Sequence, residues 1–162
     1  MLAKILGNPQ GRLTKKVQDT LLAKGITSEI ISPDVLELTE GWRTNGAVDY
    51  RADYETHNQM LPLIYIDGAC YSFVQTMEKY GPKDVKWKMW APSPAVCSKA
   101  IAVAIKDDVI QGVLFSSGCD GNSACIDRLL YGTSVQMAKH LLGDIMCGDK
   151  GTSCGRELAR GL

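Results

Sequence analysis

The placement of cysteine constrains this chain more than any other feature. Five of its six cysteines lie between Cys97 and Cys154. Four of those sit in turn-like sequence, in Ala95-Val-Cys-Ser-Lys99, Gly118-Cys-Asp-Gly-Asn122, Cys147-Gly-Asp-Lys150 and Gly151-Thr-Ser-Cys-Gly155. Gly, Ser, Asp and Thr beside a cysteine favour tight turns, which aim a thiolate into a pocket instead of burying it on a helix face. Cys97, Cys119, Cys147 and Cys154 therefore read as one site. Cys119 and Cys154 each precede an expected helix, where unsatisfied amide N–H groups and the positive end of the dipole favour thiolate over thiol.

The spacing alone is not decisive. The four cysteines are separated by 21, 27 and 6 intervening residues, so they converge only after folding, and the Cys-x-x-Cys knuckle of a zinc ribbon is absent. Zinc and iron-sulfur centres both accept four thiolates in tetrahedral geometry, and buried structural cysteines explain the pattern equally well. Asp120 and Asp149 adjoin two of the cysteines and suit either hydrogen bonding to a ligand or turn formation. Cys125 shares a helix face with Leu129 and is expected in the core, as is Cys70 on a strand.

A chain of 162 residues that is 45% apolar can bury the core of one ordinary domain or two small ones. With 18 basic and 18 acidic residues it carries no global field to recruit nucleic acid or an anionic membrane. The N-terminus lacks a signal-peptide pattern, and no apolar run approaches the roughly 18 residues of a membrane span. A soluble, cytoplasmic protein is expected, in which thiols are reduced, metal-bound or redox-active.

From about residue 93 to 162 the sequence resembles the TSCPD domain, a small module found at the end of some ribonucleotide reductases and as short free-standing proteins. The resemblance is carried by Cys97-Ser98 before a hairpin, Gly118 to Asn122 after it, a helix ending at Gly132, Cys147-Gly148, and Thr152-Ser153-Cys154 before a short helix. The Pro-Asp that completes the family's name is Gly155-Arg156 here, which removes an acidic group beside the last cysteine. The element order is also similar to U-type iron-sulfur scaffolds, although their Cys-Gly-Asp is Cys97-Ser98-Lys99 in this chain, so Cys147 would supply the fourth position. The resemblance implies an α+β domain, an antiparallel sheet with helices on one side, holding Zn2+ or an iron-sulfur cluster on Cys97, Cys119, Cys147 and Cys154.

The first half reads as β-α-β followed by β-β-α. Leu2 to Leu6 is a strand, Leu13 to Lys24 an amphipathic helix stopped by Gly25, and Ile26 to Ser32 a strand, with a short helix expected from Asp34 to Leu38. Leu61 to Ile66 is a strand closed by Asp67-Gly68, Cys70 to Tyr71 another, and Phe73 to Tyr80 a helix ended by Gly81-Pro82. This order, with Pro62 heading a strand before Ile66-Asp67-Gly68, resembles a glutaredoxin and implies a thioredoxin-like α/β fold with a cis bond before Pro62. The family's Cys-x-x-Cys falls on Gly11-Arg-Leu-Thr14, so the active site is absent and the half is expected to dock and not to exchange disulfides.

The division expected is a degenerate glutaredoxin-like domain over 1–81, a Trp- and Pro-containing linker over 82–94 fastened to a surface by Trp87 and Trp90, and a four-cysteine domain over 95–162. His57 and His140 are expected to be solvated, and no Ser/His/Asp or paired-carboxylate constellation is visible. Three functions remain open. The first is a metal-binding accessory protein associated with ribonucleotide reduction, the reductase or another protein being its partner. The second is a thiol-disulfide redox protein using Cys147 and Cys154, and the third a non-enzymatic ligand- or protein-binding module or inhibitor.

Overall fold

The structure, a computed structural model, describes residues 1–31 and 62–162. The chain separates into two compact units, Met1–Pro82 and Lys83–Leu162. Among the described residues the fold is mixed α/β, with two sheets and five helices. None of those helices is long and apolar enough to cross a membrane. The expected helix at Asp34–Leu38, His57 and the bond between Leu61 and Pro62 lie outside the described residues.

In the first unit, β1 (Leu2–Leu6), α1 (Arg12–Leu22) and β2 (Thr27–Ile31) form a parallel pair of strands joined by a helix. β3 (Leu63–Ile66) runs antiparallel to β1, and β4 (Ala69–Tyr71) antiparallel to β3, giving the order β2-β1-β3-β4. On the inner strand β1, Ala3, Ile5 and Leu6 are fully buried. Leu13, Val17 and Leu21 repeat every four residues on α1 and are all buried, which is the stripe an amphipathic helix needs to pack on a sheet. α2 (Phe73–Tyr80) begins with a capping box, Ser72 accepting from the Gln75 N–H and the Gln75 side chain accepting from the Ser72 N–H. The β3–β4 turn places Asp67 and Gly68 at positive φ, 49° and 78°, the conformation that two-residue hairpins require.

The second unit is built on the antiparallel sheet β5-β6-β7, formed by Lys86–Trp90, Ala100–Lys106 and Val109–Ser116. The stretch expected to be a linker is thus, over Lys86–Trp90, a paired edge strand. Pro82, Pro92 and Pro94 lie outside the ladder at either end, where a missing N–H costs no sheet hydrogen bond, and they gave a strand the composition of a connector. Trp90 packs against its own unit's core, and its indole lies so close over Gly161 that any side chain there would collide with it.

Three helices complete this unit: α3 (Asp120–Leu130), α4 (Val135–Leu142) and α5 (Cys154–Gly161). Ile101, Val103, Val113 and Phe115 from the sheet share a buried cluster with Leu130, Ala138 and Leu158, one residue from each helix. The outer edge of β7 is covered. Asp127 accepts the Val113 N–H at 2.7 Å, and Ile110 exchanges backbone bonds with Thr133 and Gly132, so two of the donors that invite edge pairing are spent.

Cys125 is not in the core, contrary to the sequence reading. It is exposed, and Leu129, one turn on, is 79% exposed. The face of α3 that meets the sheet carries Ser123, Ile126, Asp127 and Leu130, one position round from the expected stripe. Cys70 is half-buried against the small cluster around Leu6.

Candidate thiolate site

Cys97 stands three residues before β6, and the segments around it are tied down. The Lys99 N–H bonds the Ser116 carbonyl at 2.8 Å, and the Ser117 hydroxyl donates to the Cys97 carbonyl at 2.8 Å. Ser117 and Gly118 both adopt positive φ, 62° and 90°, in the turn from β7 into α3. Glycine is required at the second of these positions on two counts, because a Cβ there would also lie 3.3 Å from the Cys97 sulfur. Holding Ser117 left-handed costs about 1 kcal/mol, and the turn brings Cys119 to the N-cap of α3, where its N–H points at the Cys97 sulfur.

Cys154 arrives from the other side as the first residue of α5. Ser153 caps this helix, accepting from the Arg156 N–H at 3.0 Å and donating to the Ile145 carbonyl at 2.7 Å. The preceding loop closes on itself through the Cys147 N–H, which bonds the Thr152 carbonyl at 3.0 Å. The outcome is a pair of sulfurs, Cys97 and Cys154, 3.9 Å apart. The Ser98 hydroxyl, on a residue only 2% exposed, is a second hydrogen-bond partner of the Cys154 sulfur at 3.4 Å.

Electrostatics favour charge on Cys97. Burial pushes the Cys97 thiol up, but the hydrogen bond with Cys154, the backbone N–H groups of Cys119 and Cys97 itself and the charge of Lys150 together hold it below the ordinary thiol value.

The expected site residues are therefore assembled in part. Cys97 and Cys154 meet, and Cys119 contributes its main-chain N–H. Cys119 and Cys147 have exposed side chains, and among the described residues no three His, Cys, Asp or Glu side chains gather as metal ligands do. Asp120 opens α3 and Asp149 lies in the Cys147–Thr152 loop, both exposed. Cys154 is paired across the fold with Cys97 and not with Cys147, its nearer neighbour in sequence.

One residue beside the site was missed. Glu157 is 7% exposed and accepts hydrogen bonds from Thr152 and from the backbone of Ser93. The sequence was read as lacking an acidic group after the last cysteine because Gly155-Arg156 stands there. The carboxylate sits one residue further on, and no local pattern marks it as buried.

The class is thus a two-unit α/β protein with a thiol pair at a helix N-terminus. The family model of the TSCPD domain matches residues 71–162, more than half of the chain, and the protein belongs to that family. The match begins in β4 and takes in α2 and β5, which the resemblance read from residue 93 onward did not include. No curated protein and no solved structure matches the chain.

Proposed function

We propose that the protein is a thiolate metal-binding module, accessory to a larger enzyme and not itself a catalyst. The observation that carries this is the Cys97–Cys154 sulfur separation of 3.9 Å, without a disulfide. Two sulfurs at Zn–S distances of about 2.3 Å on a tetrahedron stand about 3.8 Å apart, so the pair already spans one edge of such a site. Backbone N–H groups aimed at a sulfur stabilise the thiolate that a metal needs. Cys97 and Cys154 would hold two positions for Zn2+ or an iron-sulfur cluster, and Cys119 and Cys147, on turns of the same unit, are the residues proposed for the others. A bound metal would cross-link these turns and stabilise the unit.

A ribonucleotide reductase is the proposed partner, because the TSCPD module occurs at the end of some of these enzymes. The first unit supports an accessory role. Its strand order β2-β1-β3-β4, with β1 and β2 parallel, favours a thioredoxin-like reading. The start of α1 carries Gly11 and Thr14 where such a fold places its reactive thiols, which leaves docking as its role. The same sulfur pair supports a second reading, a thiol-disulfide couple of Cys97 with Cys154 in place of Cys147 with Cys154.

Elemental analysis of protein purified without oxygen, together with Co2+ titration followed by thiolate absorbance, separates the two. Metal binding predicts bound or titratable metal that is lost in Cys97→Ser and Cys154→Ser. Protein that carries no metal and takes up none when reduced would overturn it and leave the redox couple.

A further inference from the structure

Glu157 reaches both chain segments that carry the thiol pair. Its Oε1 accepts the Thr152 hydroxyl proton at 2.6 Å, in a buried contact, and its Oε2 accepts the Ser93 N–H at 3.0 Å. Arg160 Nη1 is a looser partner of Oε1 at 3.4 Å, and the Glu157 main-chain carbonyl accepts the Trp90 indole N–H at 3.2 Å. Ser93 opens the turn that leads to Cys97, its carbonyl accepting from Val96 at 3.2 Å and its hydroxyl from Ala95 at 3.2 Å. Thr152 lies next to Ser153, the cap of the helix that begins with Cys154.

We propose that Glu157 is the positioning residue of the thiol pair, its carboxylate clamping the turn before Cys97 to the start of α5 and so setting the separation of the two sulfurs. The chemistry favours a carboxylate. Two donors converge on it from different segments, and it offers a charged acceptor oxygen to each, whereas a Gln amide has one oxygen for the Ser93 N–H and would have to donate its NH2 to the Thr152 hydroxyl, giving up both charge-assisted bonds. Thr152 and Glu157 occupy the positions, just before the cap and in the first turn, that a hydrophobic staple fills in other helices, so here a hydrogen bond directs the entry of the chain. The inference rests on the thiol pair being the site, whether it takes a metal or forms a disulfide.

The test reads the pair without metal. Full-length protein is equilibrated with glutathione and glutathione disulfide in the presence of chelator. One glutathione disulfide oxidises Cys97 and Cys154 to a disulfide and leaves two glutathiones, and the Cys97–Cys154 peptide is quantified after thiol trapping. Glu157→Gln is expected to lower this equilibrium constant about tenfold, and Thr152→Val, which removes one of the two bonds, about threefold. Ile110→Ala, a core truncation in the same unit at the end of the β6–β7 hairpin away from Cys97, should lower stability without moving the constant, whereas a merely structural role for Glu157 would make the two variants alike. The proposal is overturned if Glu157→Gln stays within about twofold of the parent, if Ile110→Ala moves the constant as far, or if the parent forms no Cys97–Cys154 disulfide at any ratio. Should Glu157→Gln fail to fold, Thr152→Val decides by the same criterion. Failure of the metal reading shows separately, as absence of metal from every variant with this equilibrium intact.

Discussion

The two units each offer the start of a helix, and α1 and α5 differ in what is brought to it. At α1 the cap is Gly11, which makes no side-chain bond, and Thr14 in the first turn is 1% exposed. A Cβ on Gly7 would come within 2.7 Å of the Thr14 hydroxyl and 3.4 Å of Pro62, so side chain and backbone are packed tightly there. At α5, Ser153 caps the helix and the first residue presents a sulfur to a second sulfur from a distant segment. The backbone donors and dipole at a helix start are generic. What distinguishes α5 from α1 is a polarisable side chain at its first residue and a second sulfur brought to it from a distant segment.

The largest effects should come from the cores that hold each helix in place. Phe73→Ala in the first unit and Phe115→Ala in the second, both 1% exposed, should each cost about 3–5 kcal/mol, read as a shift in denaturant midpoint. Only Phe115→Ala should also disturb the sulfur pair, measured by the reactivity of Cys97 toward a thiol reagent. Equal disturbance by Phe73→Ala would break the comparison.

Caps sharpen it at a smaller scale. Ser153→Ala loses the bonds to Arg156 and Ile145 and should cost about 1–2 kcal/mol, while Ser72→Ala at the α2 capping box should cost about 1 kcal/mol, both measured by denaturation. Cys97 reactivity should change in the first and stay constant in the second.

Acid should separate the units as well. The Thr152 hydroxyl bond, opposed by burial and aided by the Ser93 N–H and by Arg160 and Arg156, holds the Glu157 carboxyl below its ordinary value of 4.5. The folded state then binds fewer protons at this group than the unfolded state, so its contribution is fully present above the ordinary value and is lost as pH falls through the folded one. Urea midpoints followed from about pH 7 to about pH 3 should show a decline in the second unit that is shallower in Glu157→Gln. An identical slope in the variant would remove Glu157 as its source.

The smallest effect belongs to Cys125. Being exposed, it should tolerate Ala within about 0.5 kcal/mol, whereas Cys70→Ala, half-buried near Leu6, should cost about 1 kcal/mol; thermal melts decide.

Local chemistry made much of the fold legible. Phe73–Tyr80 was readable as a helix ended by Gly81-Pro82, and the hairpin of β6 and β7 from two apolar runs around Lys106-Asp107-Asp108, where both aspartates take positive φ. These signals lie within a few residues of what they control. β5 was hidden because its alternating Lys86, Trp87 and Lys88 lie between prolines, and its pairing is supplied by residues that come later in the chain. Cys125 was misplaced because a helix face turns by about 100° per residue, so a one-residue error in which stripe meets the sheet carries a side chain from core to solvent.

By itself the sequence determined which residues could be thiolates and that Cys97, Cys119 and Cys154 would fall in turns or at helix starts, since turn and cap chemistry is local. Only the tertiary structure decided which of them meet. Cys97 and Cys154 are 57 residues apart in the chain and Ser93 and Glu157 are 64 apart, and no periodicity spans such separations. Their contact follows from packing β6 and α5 around the core of Ile101, Val103 and Leu158, a cooperative outcome of burial that no short segment encodes.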